Sequence, residues 1–94
     1  MARLDGKVAL ISGGARGMGA TEARLFAQEG ATVVLGDVLD DLGAQVEEEI
    51  REQGGEATYL RLDVTRSEDW RQAVETAMSQ FGKLDILVNN AGIV

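Results

Sequence analysis

Between an apolar run and a helical pattern the chain reads Ser12-Gly13-Gly14-Ala15-Arg16-Gly17-Met18-Gly19. Glycine accepts a positive φ without a Cβ clash, and its bare backbone lets an anion approach closely. A helix that opens from such a turn offers free N–H groups and the positive end of its dipole, the latter worth about 0.3–2 kcal/mol to a diphosphate. A carboxylate then stands at Asp37, on the tip of the next apolar run and about 20 residues beyond the loop. In that position it accepts hydrogen bonds from the hydroxyls of an adenosine ribose and repels a 2′-phosphate, and neighbouring Val38 supplies no cation. Loop and carboxylate together read as a dinucleotide site suited to NAD. Arg16, inside the loop, is able to pair with a phosphate, which keeps NADP open as the lesser choice.

Other chemistries are excluded by residue type. Gly14 and Gly19 have the spacing of a nucleoside-triphosphate loop, but Ala20-Thr21 follow where such a loop needs Lys and then Ser or Thr. There is no Cys and no His, hence no thiolate nucleophile, no zinc–thiolate centre, no imidazole base and no Ser-His-Asp triad; no metal site is expected. Nine Lys and Arg against sixteen Asp and Glu leave a net charge of −7, which opposes nucleic acid as a partner. The diphosphate attraction is local and comes from the backbone, so it survives that charge. The apolar run Val8 to Ile11 is too short for a signal-peptide core or a membrane span, and a cytoplasmic protein without a membrane partner is expected.

These groups need elements to position them, and the chain alternates strand-like and helix-like runs. Lys7 to Ser12 is apolar enough for a strand buried on both faces. A helix from about Met18 to Glu29 follows, its inner stripe Ala23, Phe26 and Ala27. Thr32 to Gly36 is the second strand. The second helix runs from about Leu39 to Gln53, with Leu42, Val46 and Ile50 on its inner face and Glu47, Glu48 and Arg51 in solvent. Ala57 to Leu62 forms the third strand. Ser67 is placed to cap a third helix with Trp70, Val74 (with Ala73), Ala77 (with Met78) and Phe81 inward; the indole reads as core. Ile86 to Val88 is the fourth strand. The β-α-β-α-β-α-β string predicts an α/β fold: the first half of a doubly wound (Rossmann) sheet, parallel, in the order 3-2-1-4, with two helices on one face and one on the other.

Four short motifs in this order resemble the short-chain dehydrogenase/reductase family, over essentially the whole chain. Its TGxxxGxG loop is matched by Ser12, Gly13, Gly17 and Gly19, with Ser for Thr, and the acidic residue of its NAD-preferring members falls on Asp37. The resemblance implies that Asp63, with Val64, contacts the adenine. Its NNAG element, matched by Asn89-Asn90-Ala91-Gly92, implies a role in bracing the sheet and lining the cofactor cleft. Loop and Gly36-Asp37-Val38-Leu39-Asp40 are most similar to bacterial 3α(20β)-hydroxysteroid dehydrogenases. The implied parent activity is NAD-dependent interconversion of a secondary alcohol and a ketone, a hydroxysteroid among the candidates, in proteins that are commonly homo-oligomers.

The family's catalytic Asn, Ser and Tyr-x-x-x-Lys would lie beyond Val94. Tyr59, the sole tyrosine, has Asp63 four positions on instead of a lysine, so it reads as a strand residue and no catalytic residue is assigned. Residues 1–94 are accordingly expected to be the N-terminal, cofactor-binding part of such an enzyme, truncated before the second half of the fold, inactive alone and with the fourth strand an unprotected edge. The alternative is a stand-alone dinucleotide-binding module without catalysis. A doubly wound interaction domain that binds no nucleotide is the weakest of the three.

Overall fold

A computed structural model describes residues 3–90. Its elements are β1 (Val8–Ser12), α1 (Gly17–Gln28), β2 (Thr32–Asp37), α2 (Asp40–Glu52), β3 (Glu56–Arg61), α3 (Ser67–Phe81) and β4 (Ile86–Asn89). The four strands are parallel and ordered β3-β2-β1-β4, the expected partial Rossmann sheet. β1 sits between β2 and β4, with Ile11 paired to Leu35 on one side and Val88 on the other. Every β1 residue is buried, as a strand covered on both faces requires.

Alternation along the central strands divides the core into two layers. Ile11, Val33, Leu35 and Ala57 pack with Ala20 and Ala23 of α1 and Val46 and Ile50 of α2. Val8, Leu10, Val34 and Leu62 pack with Ala73 and Ala77 of α3, flanked by Trp70 and Phe81. Two helices therefore cover one face and one covers the other, as the right-handed crossovers demand.

Three helix details depart from expectation. In α2, Leu42 is 38% exposed and Gly43 takes the inward place, because the ring of Tyr59 fills the space a Cβ there would enter. In α3, Ala73 and Ala77 carry the inner stripe while Val74 and Met78 stand 37% and 47% exposed; the small residues let the helix lie close on the sheet. Ser67 is the first residue of α3 and not its cap, which is Arg66 with no side-chain cap bond. The acidic first turn is nonetheless present, and Asp69 Oδ2 accepts the Asp63 N–H at 2.9 Å.

β4 closes one side of the sheet, and Leu87, on the α3 face, is 57% exposed. Its entry is tied down by Asp85, whose N–H donates to Val8 O at 2.9 Å and whose Oδ2 accepts the Val8 N–H at 2.9 Å. That bond, with Lys83 at 3.4 Å, holds the carboxyl below its ordinary value, the Val8 amide contributing most. A folded-state value lowered in this way adds stability above the usual carboxylate range and forfeits it as pH falls through the lowered value. Asp85→Asn is therefore expected to be less stable than wild type near neutrality, with the gap beginning to narrow as pH falls through the ordinary carboxylate range, about 4, and closing below the lowered value. Urea midpoints measured from pH 2 to 7 check this; a gap of constant size would refute it.

Candidate functional site

The glycine loop leaves the C-terminal end of β1, and each glycine solves a separate steric problem. Gly13 and Gly17 have φ of 68° and 61°, conformations L side chains rarely adopt. A Cβ on Gly14 would lie 2.8 Å from Leu35 Cβ, so the loop is seated on β2, where the Gly14 N–H donates to Gly36 O at 3.2 Å. A Cβ on Gly19 would strike the Gly13 carbonyl oxygen and lie 2.7 Å from its carbon; the first turn of α1 closes directly on the loop. Arg16 holds the cap position in extended backbone, makes no side-chain cap bond, and no acidic residue occupies that turn. Nothing from the side chains of the turn competes with an anion for its amides.

Asp37 faces this loop. Its Oδ2 accepts the Ala15 N–H at 3.1 Å, and Oδ1 accepts the N–H groups of Val38 at 2.7 Å and Leu39 at 3.2 Å. A carboxylate offers about four acceptor positions, so one remains on Oδ2 for a ligand. Between loop and carboxylate lies a cleft of about 500 Å³ lined by Gly13, Arg16, Gly17, Met18, Gly19, Asp37, Val38, Leu39 and Asn90. Met18 stands on its lip, 73% exposed. Asn90 borders it from the end of β4: its N–H donates to Ser12 O at 3.3 Å and its Nδ2 donates to Glu22 Oε1 at 2.6 Å.

The structure thus brings together Gly13, Arg16, Gly17, Met18, Gly19, Asp37, Val38 and Asn90, eight of the expected positions. Ser12 is placed differently. It is fully buried, and its hydroxyl donates to Asn89 Oδ1 at 2.7 Å, which makes it a fastening between β1 and β4 beneath the cleft. Asp63 and Val64 follow β3 at the same edge of the sheet but do not line this cleft. The Asp63 carboxylate turns back to Thr65, accepting its N–H at 2.9 Å and its hydroxyl at 2.6 Å, and those two bonds lower its pKa. Val64 packs on the core and its carbonyl accepts the Trp70 indole N–H at 3.0 Å, so the indole is core, as expected. Ala91 and Gly92 lie outside the described residues. Sequence reasoning missed Leu39 in the lining and Glu22 behind Asn90. Leu39 was findable as the next residue of the same turn, whereas nothing local links Glu22 to a residue 68 positions away.

The order of these parts, strand to glycine turn to helix with an acid on the second strand, also occurs in known proteins. Residues 7–94 match the family model for short chain dehydrogenases. The chain belongs to the short-chain dehydrogenase family. It is 52% identical over its full length to cyclopentanol dehydrogenase of Comamonas testosteroni, covering 38% of that protein. Over 98% of its length it is 54% identical to the 3-alpha-(or 20-beta)-hydroxysteroid dehydrogenase of Mycobacterium tuberculosis, of which it covers 34%. Among solved structures, hydroxysteroid dehydrogenase from Escherichia coli superposes with a TM-score of 0.93 at 43% identity, covering 98% of this chain and 39% of that one. The chain therefore spans little more than a third of the length of these short-chain dehydrogenases.

Within the family frame Tyr59 has the wrong properties for proton transfer. Its hydroxyl lies 2.5 Å from Asp40 Oδ1 and 2.8 Å from Asp37 O. Burial first, then the Asp40 hydrogen bond and charge, push its pKa upward, against the lowering that proton exchange near neutral pH needs. No cluster of three or more acidic residues able to hold a metal ion occurs among the described residues, and no described helix is long and apolar enough to cross a membrane.

Proposed function

We propose that residues 1–94 form the dinucleotide-binding part of an NAD-dependent oxidoreductase that interconverts a secondary alcohol and a ketone. The observation that carries this is the Asp37 carboxylate fastened to the Ala15 amide, which sets an acid on the rim of a glycine cleft. The cleft fits the group: Gly13 takes a positive φ at its border, Gly19 leaves no room for a Cβ against the Gly13 carbonyl, and the amides of the first α1 turn are free of side-chain caps. In this reading the glycine loop grips the diphosphate, Asp37 accepts from the adenosine ribose and repels a 2′-phosphate, Val38 and Leu39 border the adenine with Asp63 and Val64 beyond them, and Asn90 limits the cleft toward the nicotinamide. Bound nicotinamide supplies or accepts the hydride. The names of the relatives, a cyclic alcohol and a hydroxysteroid dehydrogenase, support a hydrophobic cyclic alcohol as substrate class.

Titration with NADH, followed by nucleotide emission and by quenching of Trp70, the sole tryptophan, tests the reading. Saturable binding is expected for NADH, with NADPH at least about tenfold weaker, the loss of one favourable charged contact. Turnover of cyclic alcohols by the chain is expected to be undetectable, since Tyr59 is held by Asp40. Absence of saturable binding would end the reading. Binding without turnover even when the chain is extended at its C-terminus would favour a dinucleotide module without catalysis.

A further inference from the structure

The turn that carries Asp37 is held from the adjacent edge strand, β3, by residues that do not line the cleft. Asp37 ends β2 and pairs in register with Arg61, the last residue of β3. Arg61 Nη1 donates to Val38 O at 3.0 Å and to Asp40 Oδ2 at 3.1 Å. The Tyr59 hydroxyl shares its hydrogen between Asp40 Oδ1 at 2.5 Å and Asp37 O at 2.8 Å, and that carbonyl also accepts the Leu62 N–H at 2.9 Å. The ring reaches this point through the gap left by Gly43, where any side chain would collide with it. Asp40, the first residue of α2, is thereby gripped on both oxygens. Every residue from 37 to 40 except Leu39 is bonded to β3 or the residue that follows it.

We infer that Tyr59, Asp40 and Arg61 form a brace that positions the Asp37 carboxylate against the glycine loop and so determines discrimination between NAD and NADP. The inference rests on the dinucleotide reading above. The Asp37 carboxylate bonds the amides of Ala15, Val38 and Leu39 only while residues 37–39 keep their present path, and that path is fixed from behind at the carbonyls of Asp37 and Val38. Because burial and the Asp40 carboxylate keep the phenol protonated, the brace remains a donor throughout the neutral and mildly alkaline range.

Tyr59→Phe is the test, since it keeps the ring in the Gly43 gap and deletes only the hydroxyl. Amide hydrogen exchange at Ala15, Val38 and Leu39, read by NMR without nucleotide, is expected to quicken about three- to tenfold, the equivalent of one ordinary hydrogen bond. NADH affinity is expected to fall by a similar factor and NADPH affinity to change little, so the preference between them narrows. A folded Tyr59→Phe chain with unaltered exchange at these three amides overturns the brace, whatever its nucleotide affinity. Faster exchange in a chain whose wild type binds no NADH leaves the brace intact and overturns the cofactor reading instead. Quickened exchange with an unchanged NADH to NADPH ratio overturns the specificity role. Should Tyr59→Phe fail to fold, Arg61→Gln, on the exposed edge strand, removes both Arg61 contacts and is read at the same amides against the same outcomes.

Discussion

Gly19→Ala is expected to abolish measurable NADH binding, by a factor of about a hundred or more, while lowering the melting temperature by about 5–20 °C. The added methyl would strike the Gly13 carbonyl oxygen, and neither partner can swing aside: one is in the first turn of α1 and the other is the backbone of the loop. Overpacking of this kind costs about 1–3 kcal/mol, and a domain of this size loses about 4–8 °C for each. In the proposed reading binding suffers more than folding, because the loop must open at the place assigned to the diphosphate. Gly17→Ala is the informative contrast. A Cβ there meets nothing within 4 Å, and the change costs only the strain of a positive φ of 61°, about 1–2 kcal/mol. Calorimetry and NADH titration of the two variants separate collision from strain; a Gly19→Ala chain that binds NADH within threefold of wild type would show that the loop is not closed on itself as described.

Asp37→Asn is expected to weaken NADH about 10- to 100-fold and to abolish or invert the preference over NADPH. A hydrogen bond to a charged group is worth about 1.5–3 kcal/mol, and loss of the charge also removes the repulsion of a 2′-phosphate. Asparagine rather than alanine is the right replacement. The carboxylate accepts three backbone N–H groups, and alanine would leave all of them without a partner, confusing loss of the site with loss of the turn. With asparagine one acceptor oxygen remains, so circular dichroism should be unchanged while the ratio of the two dissociation constants moves. A ratio that stays where it was would remove Asp37 as the selecting group.

Much of this was legible along the chain because the signals are local. A strand buried on both faces must be apolar throughout, and Val8 to Ile11 are. A turn requiring positive φ selects glycine, and Gly13 and Gly17 supply it. Each β-α connection is short, which leaves the right-handed parallel topology and its 3-2-1-4 order as the natural arrangement. The helix faces were read less well, since periodicity indicates a stripe without saying which of two adjacent residues lies deepest. Leu42 yields its inner place to Gly43 for want of room beside Tyr59, and Val74 and Met78 yield theirs to Ala73 and Ala77, which are the α3 residues wholly buried against the sheet. The loop motif includes Ser12 among the cofactor contacts, yet a residue still paired within β1 turns its hydroxyl to Asn89 of β4 and not into the cleft.

The amino-acid order alone determined the elements, their alternation, the glycine turn and the acid on the second strand tip, since each follows from the conformational limits and burial of residues close in sequence. Only the tertiary structure decided which groups meet: Ala15 with Asp37, Ser12 with Asn89, Glu22 with Asn90, and Tyr59 with Asp40. Those pairs lie 19 to 77 residues apart, and they form because parallel register and helix docking carry distant backbone into the same few ångströms, a condition set by the packing of both core layers at once.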